Sequence, residues 1–174
     1  DGVKEITFLG QNINSYGGRR PGDNRSGLGD LLYRASEVPG LARIKFITSH
    51  PRDFDHNTLD ALAERPNLAP FLHVPPQSGS DAVLKRMRRG YTAAFYRDLV
   101  AKAKERIKGL ALAGDFIVGF PGETDDDFAQ SVQLLRDIEF QIAYLFKYSP
   151  RPGTRSAEGA DDVPVKLKKE RHAA

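Results

Sequence analysis

Residues 115–124 read DFIVGFPGET. The first four positions are mostly β-branched or aromatic, and a Gly- and Pro-rich run follows at 119–122. A short apolar run that ends in Gly and Pro predicts a buried strand over 115–118 and a loop after it. Thr124, with Asp127 three residues later, is a variant of the capping box, so a helix is predicted to begin there. The stretch therefore predicts a strand, a loop and a helix in direct succession.

The same order of strand and helix recurs on both sides of this stretch. Runs of β-branched and aromatic residues predict further strands over 3–9, 43–48, 71–74 and 142–148. Apolar residues at helical spacing predict helices around 28–38, 59–62, 92–107 and 124–138, and a further one that ends near 87 and is capped by Ser78 or Ser80. The apolar stripe of the 92–107 helix is assigned to Phe95, Leu99, Val100, Ala103 and Ile107. Because helices between successive strands form right-handed crossovers, this alternation predicts a parallel sheet.

The unusual residues of the chain follow the predicted strands directly. They are Gly10-Gln11-Asn12, Thr48-Ser49-His50-Pro51, Pro75-Pro76-Gln77-Ser78-Gly79-Ser80, Gly119-Phe120-Pro121-Gly122-Glu123 and Ser149-Pro150-Arg151-Pro152-Gly153. In a parallel barrel the loops at the carboxyl ends of the strands converge on one mouth, which holds the active site. Since five strands cannot close an eight-stranded barrel, the expected fold is α/β, an open partial TIM barrel of about five parallel strands with outer helices. Residues 1–154 are expected to form the barrel part, and the polar, basic and aperiodic residues 155–174 a linker.

The composition narrows the classes of function. Of the 174 residues 40% are hydrophobic, which is enough for one core of ordinary size. There is no Cys, which excludes disulfides, thiolate nucleophiles and any iron–sulfur cluster held by this chain alone. The four His residues lack the spacing of a ligand set, so no metal site is predicted. The 26 basic and 23 acidic residues permit a polyanionic partner without requiring one.

Signals for membranes or export are not found in the sequence. No apolar run approaches the roughly 18 residues that span a bilayer. The first residues, DGVKE, have neither the basic nor the apolar region of a signal peptide. A cytoplasmic location without a membrane partner is therefore expected.

Six segments carry specific motifs. They are LGQN at 9–12, TSHP at 48–51, LHVPPQSGSD at 72–81, MRRGY at 87–91, DFIVGFPGET at 115–124 and YSPRPGT at 148–154. Together, and in this order, they resemble the methylthiotransferases of the radical SAM superfamily over nearly the whole chain. The GQN, TSHP and YSPRPGT motifs are similar to the branch that methylthiolates isopentenyl-type adenosine beside the tRNA anticodon.

The resemblance implies a SAM-cleaving partial TIM barrel from a transferase that modifies tRNA. The implied cofactors are S-adenosyl-L-methionine and two 4Fe-4S clusters, one on a C-x3-C-x2-C loop after the first barrel strand and one in an N-terminal domain. Because the chain has no Cys, it is expected to be a central part that lacks the cluster-bearing strand and is inactive alone. The implied partners are tRNA and an electron donor protein, with a monomeric parent whose RNA-binding domain follows the linker.

The resemblance also assigns roles at the strand ends, although it assigns no catalytic residue. The SAM site would be formed by Gly10, Gln11, Asn12, Ser49, Gln77, Ser78, Val118 and Gly119. The 10–12 loop would meet the methionine amine, Gln77 with Ser78 the ribose, and 118–119 the adenine; a Gln amide can both donate and accept. Contacts to RNA are assigned to His50, Arg88, Arg89 and Arg151, since guanidinium groups bind phosphate oxygens in bidentate fashion.

Three other interpretations stay open. The substrate could be threonylcarbamoyl-adenosine in tRNA or a ribosomal protein, as in other branches of the family. A TIM-barrel lyase or aldolase would also place polar loops at strand ends, but these loops offer no Schiff-base Lys and no set of metal-binding carboxylates. A non-catalytic scaffold or RNA-binding fragment would be consistent with the missing cluster ligands.

Overall fold

A computed structural model describes residues 2–17, 27–47, 49–54 and 56–174. The strands are β1 (Glu5–Leu9), β2 (Arg43–Ile47), β3 (Phe71–His73), β4 (Ala111–Val118) and β5 (Ile142–Lys147). The helices are α1 (Leu28–Ser36), α2 (His56–Glu64), α3 (Asp81–Arg86), α4 (Ala93–Arg106), α5 (Asp125–Ile138), α6 (Arg155–Glu158) and α7 (Val165–Ala173). Single 3-10 turns cover Ile13–Ser15 and Pro51–Asp53. In these ranges no helix has both the length and the apolar character to cross a membrane.

The strands form two partial sheets. In the first, β1 pairs in parallel with β2, with Glu5 opposite Arg43. In the second, the order is β3-β4-β5, and β3 runs parallel to β4 with Phe71 opposite Ala111. Parallel pairing in a chain of alternating strands and helices confirms the predicted α/β class and fits a part of a TIM barrel.

The chain divides into two compact units. The first comprises 1–75 with 98–113, and the second comprises 76–97 with 114–174. In the first unit, α1 and β2 supply the buried residues Leu28, Leu32, Ile44 and Phe46. Gly29 lets α1 approach α2 closely, because a Cβ at this position would lie 2.6 Å from Nδ2 of Asn57.

In the second unit, β4 has one buried face and one partly exposed face. Phe116 and Val118 are buried, and Phe116 packs edge-on against Phe140 with ring centroids 5.6 Å apart. Asp115 and Ile117 alternate with them and face the other way, because successive side chains of a strand point to opposite sides. This second face lines the cavity that is described below.

The helix after β4 begins where the sequence predicts. Oγ1 of Thr124 accepts the N–H of Asp127 at 3.1 Å, and Oδ2 of Asp127 accepts the N–H of Thr124 at 3.0 Å. The Asp127 carboxylate also accepts hydrogen bonds from Ser80 Oγ and, at 3.2 Å, from Arg86. Burial raises the pKa of Asp127, but these donors together outweigh burial, so its pKa lies below the usual range. The capping box is confirmed, and it is tied to the start and end of α3.

Strand β4 begins four residues earlier in the chain than the sequence predicts. The sequence favours a strand from Asp115, whereas β4 begins at Ala111. The run 111–114, ALAG, has low strand propensity, yet 111–113 are extended because they pair with β3. Gly114 is suited to this position, since a Cβ there would lie 2.7 Å from Cε1 of Phe140. Pairing between strands therefore outweighs local propensity here.

The predicted stripe of α4 is wrong at its first aromatic residue. Phe95 is 43% exposed, whereas its neighbour Tyr96 is fully buried and lies 6.4 Å from the Phe140 ring, measured between centroids. Val100 and Ala103 are buried as predicted. Tyr96 shares the helix face of Val100 and Ala103, and spacing alone did not separate it from Phe95.

Residues 155–174 contain α6 and α7, where the sequence shows no period and suggests a linker. Hydrophobic spacing does not reveal α7, because its buried residues are Lys168 and Arg171. The role of this segment as a linker toward a further domain stays a prediction.

Candidate functional site

A cavity of about 800 Å³ lies in the second unit, beside the carboxyl ends of β4 and β5. Asp115 and Ile117 of β4 form one wall, the end of α3 forms another, and side chains of 146–156 complete the lining. Loops after the strands thus supply much of the surface. This is the region in which the sequence places active-site loops.

Positive charge dominates the cavity. Its basic side chains are Arg86, Arg88, Arg89, Lys147, Arg151 and Arg155, and Asp115 has the only carboxylate among the described residues that line it. Arg86 is satisfied internally by Asp127 and by the carbonyl of Gly122, at 3.2 and 3.0 Å. The other five cations form no ion pair with the residues that the structure describes, and Nε of Arg89 is buried without a hydrogen-bond partner. A cavity lined by one sign of charge attracts ligands of the opposite sign.

Aromatic side chains line the same cavity. Phe120 and Tyr148 pack edge to face with ring centroids 5.1 Å apart. The hydroxyl of Tyr148 donates to the carbonyl of Ser156 at 2.9 Å, which fixes the ring against the following segment. Phe146 is 50% exposed and offers an open ring. An exposed aromatic ring beside arginines is a surface on which a nucleic-acid base can stack, and Phe146 provides such a ring.

Two residues of the cavity have an unusual backbone. Gln77 has φ 68° and Arg88 has φ 56°, in the left-handed region that side chains with a Cβ rarely adopt. The N–H of Gln77 donates to Asp115 and its carbonyl accepts from Ile117, both at 2.9 Å, which holds the residue beside β4. Its side-chain amide makes no hydrogen bond with the described residues. Strained residues of this kind concentrate at functional sites.

Arg88 occupies the position where a helix usually places Gly. Its N–H donates to the carbonyl of Lys85 and the N–H of Arg89 donates to Leu84, both at 3.0 Å, which is the Schellman pattern at the end of α3. Gly is favoured at the left-handed position of this motif because it has no Cβ. The chain instead has an Arg there, whose guanidinium lines the cavity.

Four residues proposed from the sequence meet in this cavity: Gln77, Arg88, Arg89 and Arg151. Three others in the same unit do not line it. The hydroxyl of Ser78 is buried and bonds to Ser131 and to the N–H of Ser80, both at 3.1 Å. Val118 is buried, and the N–H of Gly119 donates to Oε1 of Glu123 at 2.8 Å. Ser78 and the Gly119 amide are therefore already engaged within the protein.

The first unit contains the residues proposed in its 10–12 loop. Gly10 and Gln11 are exposed. The amide nitrogen of Asn12 donates to Ser15 at 2.7 Å and to Asp53 at 2.6 Å, and Ser15 donates to Asp53 at 3.1 Å. The hydrogen bond from Arg52, at 2.9 Å, is the largest cause that lowers the pKa of Asp53. Together with the bonds from Asn12 and Ser15, it outweighs partial burial, and the pKa is lowered to about 2. The result is a polar cluster in which the charges of Arg52 and Asp53 are paired.

The 49–50 segment is held beside the same loop. The side chain of Asn14 donates to the carbonyl of His50 and accepts its N–H, both at 2.8 Å. Ser49 is buried, and its N–H donates to the carbonyl of His73 at 3.2 Å. Oγ of Ser49 and Oδ1 of Asn12 are buried atoms without a hydrogen-bond partner among the described residues. Thr48 of the same motif lies outside those residues.

Sequence reasoning missed several of these residues. Phe146, Lys147 and Tyr148 line the cavity from the end of β5, and Asn14 anchors His50. The position of the first three at the end of a strand was an available signal. No local signal marks Asn14, because its partner lies 36 residues away in the chain.

Residues 1–135 match the sequence profile of the Radical SAM superfamily. The chain belongs to the radical SAM superfamily. The match confirms the superfamily that the sequence motifs resemble. It also makes the strand-end loops described above candidates for binding SAM.

Solved structures of radical SAM enzymes share the fold. Coproporphyrinogen III oxidase (HemN) from Escherichia coli superposes with a TM-score of 0.71 at 19% identity, over 98% of this chain and 38% of that one. SuiB from Streptococcus suis, bound to S-adenosylmethionine, gives a TM-score of 0.55 at 12% identity, over 87% of this chain and 31% of that one. The radical SAM chain thus spans less than half the length of these enzymes, and the likeness shows its fold alone.

The residues present fit the cofactors of the superfamily only in part. A 4Fe-4S cluster needs thiolate ligands, and the chain has no Cys, so its residues do not fit a cluster. Within the described ranges no group of three or more His, Asp or Glu side chains could hold a metal ion. SAM needs hydrogen-bond partners, and among the described residues of the first unit Oδ1 of Asn12 and Oγ of Ser49 are buried acceptors without one.

Proposed function

We propose that this chain is part of a radical SAM methylthiotransferase that adds a methylthio group to isopentenyl-type adenosine beside the tRNA anticodon. The observation that carries the proposal is the cavity of the second unit, in which five cations without ion pairs to the described residues lie beside aromatic rings. RNA offers both a chain of phosphates for the cations and a base for the exposed ring of Phe146. The motifs at 9–12, 48–51 and 148–154 support the choice of substrate branch.

The cavity suggests how its residues divide the work. Arg88, Arg89 and Arg151 would bind phosphate oxygens, and their rigid, bidentate geometry would set the register of the RNA. Phe146 presents a half-exposed ring on which a base or an isopentenyl group can pack. Tyr148, buried and fixed through Ser156, would keep the wall beneath that base rigid.

SAM would be held by groups that have free hydrogen-bonding capacity. Each unit offers candidates of its own. Within the first unit, Oδ1 of Asn12 and Oγ of Ser49 are buried acceptors without a partner among the described residues, and either could accept a hydrogen bond from the SAM amine. Within the second unit, the amide of Gln77 is a separate candidate for a contact to the ribose. Ser78 and the Gly119 amide would act indirectly by shaping the loops, since both are engaged. In the parent protein, SAM on a reduced cluster would supply radical chemistry, with the electron coming from the donor protein. The two clusters proposed for the parent protein would have to be bound by cysteines outside this chain.

A second candidate function is RNA binding without catalysis by this chain. The observation that favours it is the absence of Cys, which leaves the chain unable to hold a cluster. The other substrates, threonylcarbamoyl-adenosine in tRNA and a ribosomal protein, are separated from the first proposal by the test below. A monomeric cytoplasmic parent that receives electrons from a donor protein completes the proposal.

The test compares RNAs that differ only at the target base. Fluorescence anisotropy would measure binding of this chain to anticodon stem–loops with isopentenyl-adenosine, threonylcarbamoyl-adenosine or adenosine beside the anticodon. We expect the isopentenyl RNA to bind best, by about 1 kcal/mol or more, because its apolar group is buried against the aromatic wall. Equal binding of all three would favour RNA binding without substrate choice, and a preference for the threonylcarbamoyl RNA would favour the other branch.

Chemistry is tested on a protein that carries the cysteines. The parent protein, reconstituted anaerobically with iron and sulfide, is expected to methylthiolate the isopentenyl RNA, as detected by mass spectrometry of its nucleosides. The 174-residue chain under the same conditions is expected to retain no iron. Stoichiometric iron in that chain would contradict the account of its cofactor ligands.

A further inference from the structure

The C-terminal segment 161–171 holds the loop 119–123, which follows β4. We call this segment the C-terminal clamp. Arg171 donates to Oε1 of Glu123 at 2.7 Å and to its carbonyl at 3.2 Å. Oδ1 of Asp162 accepts the N–H of Gly122 at 2.7 Å. The clamp thus contacts the loop at Glu123 through an ion pair and at Gly122 through the backbone amide.

The ion pair between Arg171 and Glu123 is almost completely buried. The two side chains are 3% and 1% exposed. Burial raises the pKa of Glu123, while the Gly119 N–H and Arg171 act against the rise. Because the same Oε1 accepts both Arg171 and the Gly119 N–H, the guanidinium is linked through one oxygen to the first residue of the loop. A buried charge that loses its partner is strongly unfavourable, so this link is a firm one.

A second contact holds the other end of the loop. The stem of Lys168 lies so close to Gly119 that a Cβ there would be 2.4 Å from Cγ of Lys168. The ammonium of Lys168 binds both oxygens of Asp161, at 2.5 and 2.6 Å, and lies 5.0 Å from the centroid of the Tyr148 ring. Tyr148 and Phe120 both line the cavity. The clamp therefore contacts one residue of the cavity wall, Tyr148, and also Gly119, the neighbour of a second wall residue, Phe120.

We propose that Arg171 and Lys168 are positioning residues that fix the 119–123 loop and the Tyr148 ring, and thereby keep the cavity in its binding shape. They do so from behind the wall, since neither lines the cavity. The proposal takes from the proposed function only that the cavity binds RNA. Such a positioning role would explain why the buried residues of α7 include Lys168 and Arg171.

The first experiment replaces Arg171 in the 174-residue chain. Arg171→Gln is expected to raise hydrogen exchange of the Gly119 and Glu123 amides by more than about tenfold, with little change in the amides of β2. Binding of an anticodon stem–loop should weaken by about tenfold. Arg171→Lys, which can still reach Glu123 with a charge, should recover part of both effects. Lys169→Gln, an equal loss of charge at an exposed site of α7, should change neither.

A control separates positioning from general stability. Leu62→Ala, a core change in the first unit, should lower the stability of the chain and leave RNA affinity at the wild-type value at a temperature where the chain is folded. If Arg171→Gln changes Gly119 exchange no more than β2 exchange, the proposal is wrong. A wild-type chain that binds no RNA would remove the proposed function, while a local rise in Gly119 exchange would still support positioning of the loop.

A second set of variants does not depend on removing the ion pair. Gly119→Ala should displace the Lys168 side chain, because the new Cβ clashes with its Cγ. In the double variant with Lys168→Ala, Cγ is absent and this clash does not occur. The strain of φ 70° at position 119 is present in both, so the comparison isolates the contact with Lys168. We expect Gly119→Ala to accelerate exchange of Tyr148 and neighbouring amides at least about threefold more in the wild-type chain than in the Lys168→Ala variant. Additive effects would show that Lys168 does not position the loop.

Discussion

The polar groups of the two units are organised in opposite ways. In the first unit, Asn12, Ser15, Arg52 and Asp53 bond to one another. In the cavity of the second unit, five cations line one space without an ion pair among the described residues, and two residues have left-handed backbones. The first arrangement pairs its charges within the protein, and Oδ1 of Asn12 is left as a buried acceptor without a partner among the described residues. The second retains positive charge that an external anion could compensate.

The largest expected effect comes from removing the unpaired charge. A variant with Arg88→Gln, Arg89→Gln and Arg151→Gln should bind an anticodon stem–loop about 100-fold more weakly, because phosphate contacts made by charged donors are lost. The slope of log affinity against log salt should fall by about two. Anisotropy titrations at several salt concentrations measure both quantities.

The matched control removes three charges elsewhere. Lys108→Gln, Arg136→Gln and Lys169→Gln change exposed residues that do not line the cavity. The same loss of affinity in this control would mean that net charge, and not the cavity, binds the RNA.

The next effect concerns Asp127, which satisfies Arg86, the one cavity cation that forms an ion pair among the described residues. Asp127→Ala should lower the free energy of unfolding by about 2–3 kcal/mol, since it removes the capping box and the bonds to Ser80 and Arg86. The wild-type contribution should be present above the unfolded pKa of the carboxyl and be lost as the pH falls, because the folded pKa is lowered. Urea titrations at several pH values measure this.

Asp126→Ala is the control for this change, because Asp126 is exposed in the same helical turn. It should cost only about 0.3–0.5 kcal/mol through the helix dipole. Equal losses for the two variants would mean that general charge at the helix N-terminus, and not the network of Asp127, provides the stability.

A smaller effect is expected in the polar cluster of Asn12, Ser15, Arg52 and Asp53. Asp53→Asn should lower stability by about 1 kcal/mol, because the bonds from Arg52, Asn12 and Ser15 favour a charged acceptor. Since the pKa of Asp53 is lowered to about 2, its contribution should be full above the unfolded value and disappear as the pH falls toward about 2. RNA affinity should not change, and a loss of affinity matching that of the cavity variant would undo the contrast between the two regions.

The contrast also explains what the sequence could predict. The α/β class can be predicted because alternating apolar periods report local structure. Gln77, Arg88, Arg89 and Arg151 can be proposed as site residues because they follow strands or end a helix, and the structure places all four in the lining of one cavity. The buried charges of α7 could not be found, since Arg171 is paired with Glu123, 48 residues away. Such a pair leaves no local period.

Two residues that the sequence proposes for SAM binding have their polar groups engaged within the protein. Ser78 and Gly119 lie in the loops that the motifs mark, but their polar groups bond to Ser131 and Glu123. A motif locates a loop, whereas the partner of each polar atom depends on elements packed from elsewhere in the chain. The start of β4 was missed for a related reason, because strand pairing and not propensity extends 111–113.

The smallest effect, on stability, tests whether Arg88 is retained for binding. Arg88 has φ 56° at the Schellman position of α3, where Gly is free of the Cβ penalty. Arg88→Gly should therefore raise the free energy of unfolding by up to about 1 kcal/mol, while it weakens RNA binding because a cavity cation is lost. Arg88→Ala is the matched control: it loses the same guanidinium but keeps the Cβ, so it should weaken binding equally without the gain in stability. Urea denaturation and anisotropy on the three proteins separate the two terms. A Gly variant that is stabilised and binds RNA as well as wild type would leave the Arg unexplained by the cavity, and one that is destabilised would show that the left-handed backbone at position 88 carries no strain to relieve.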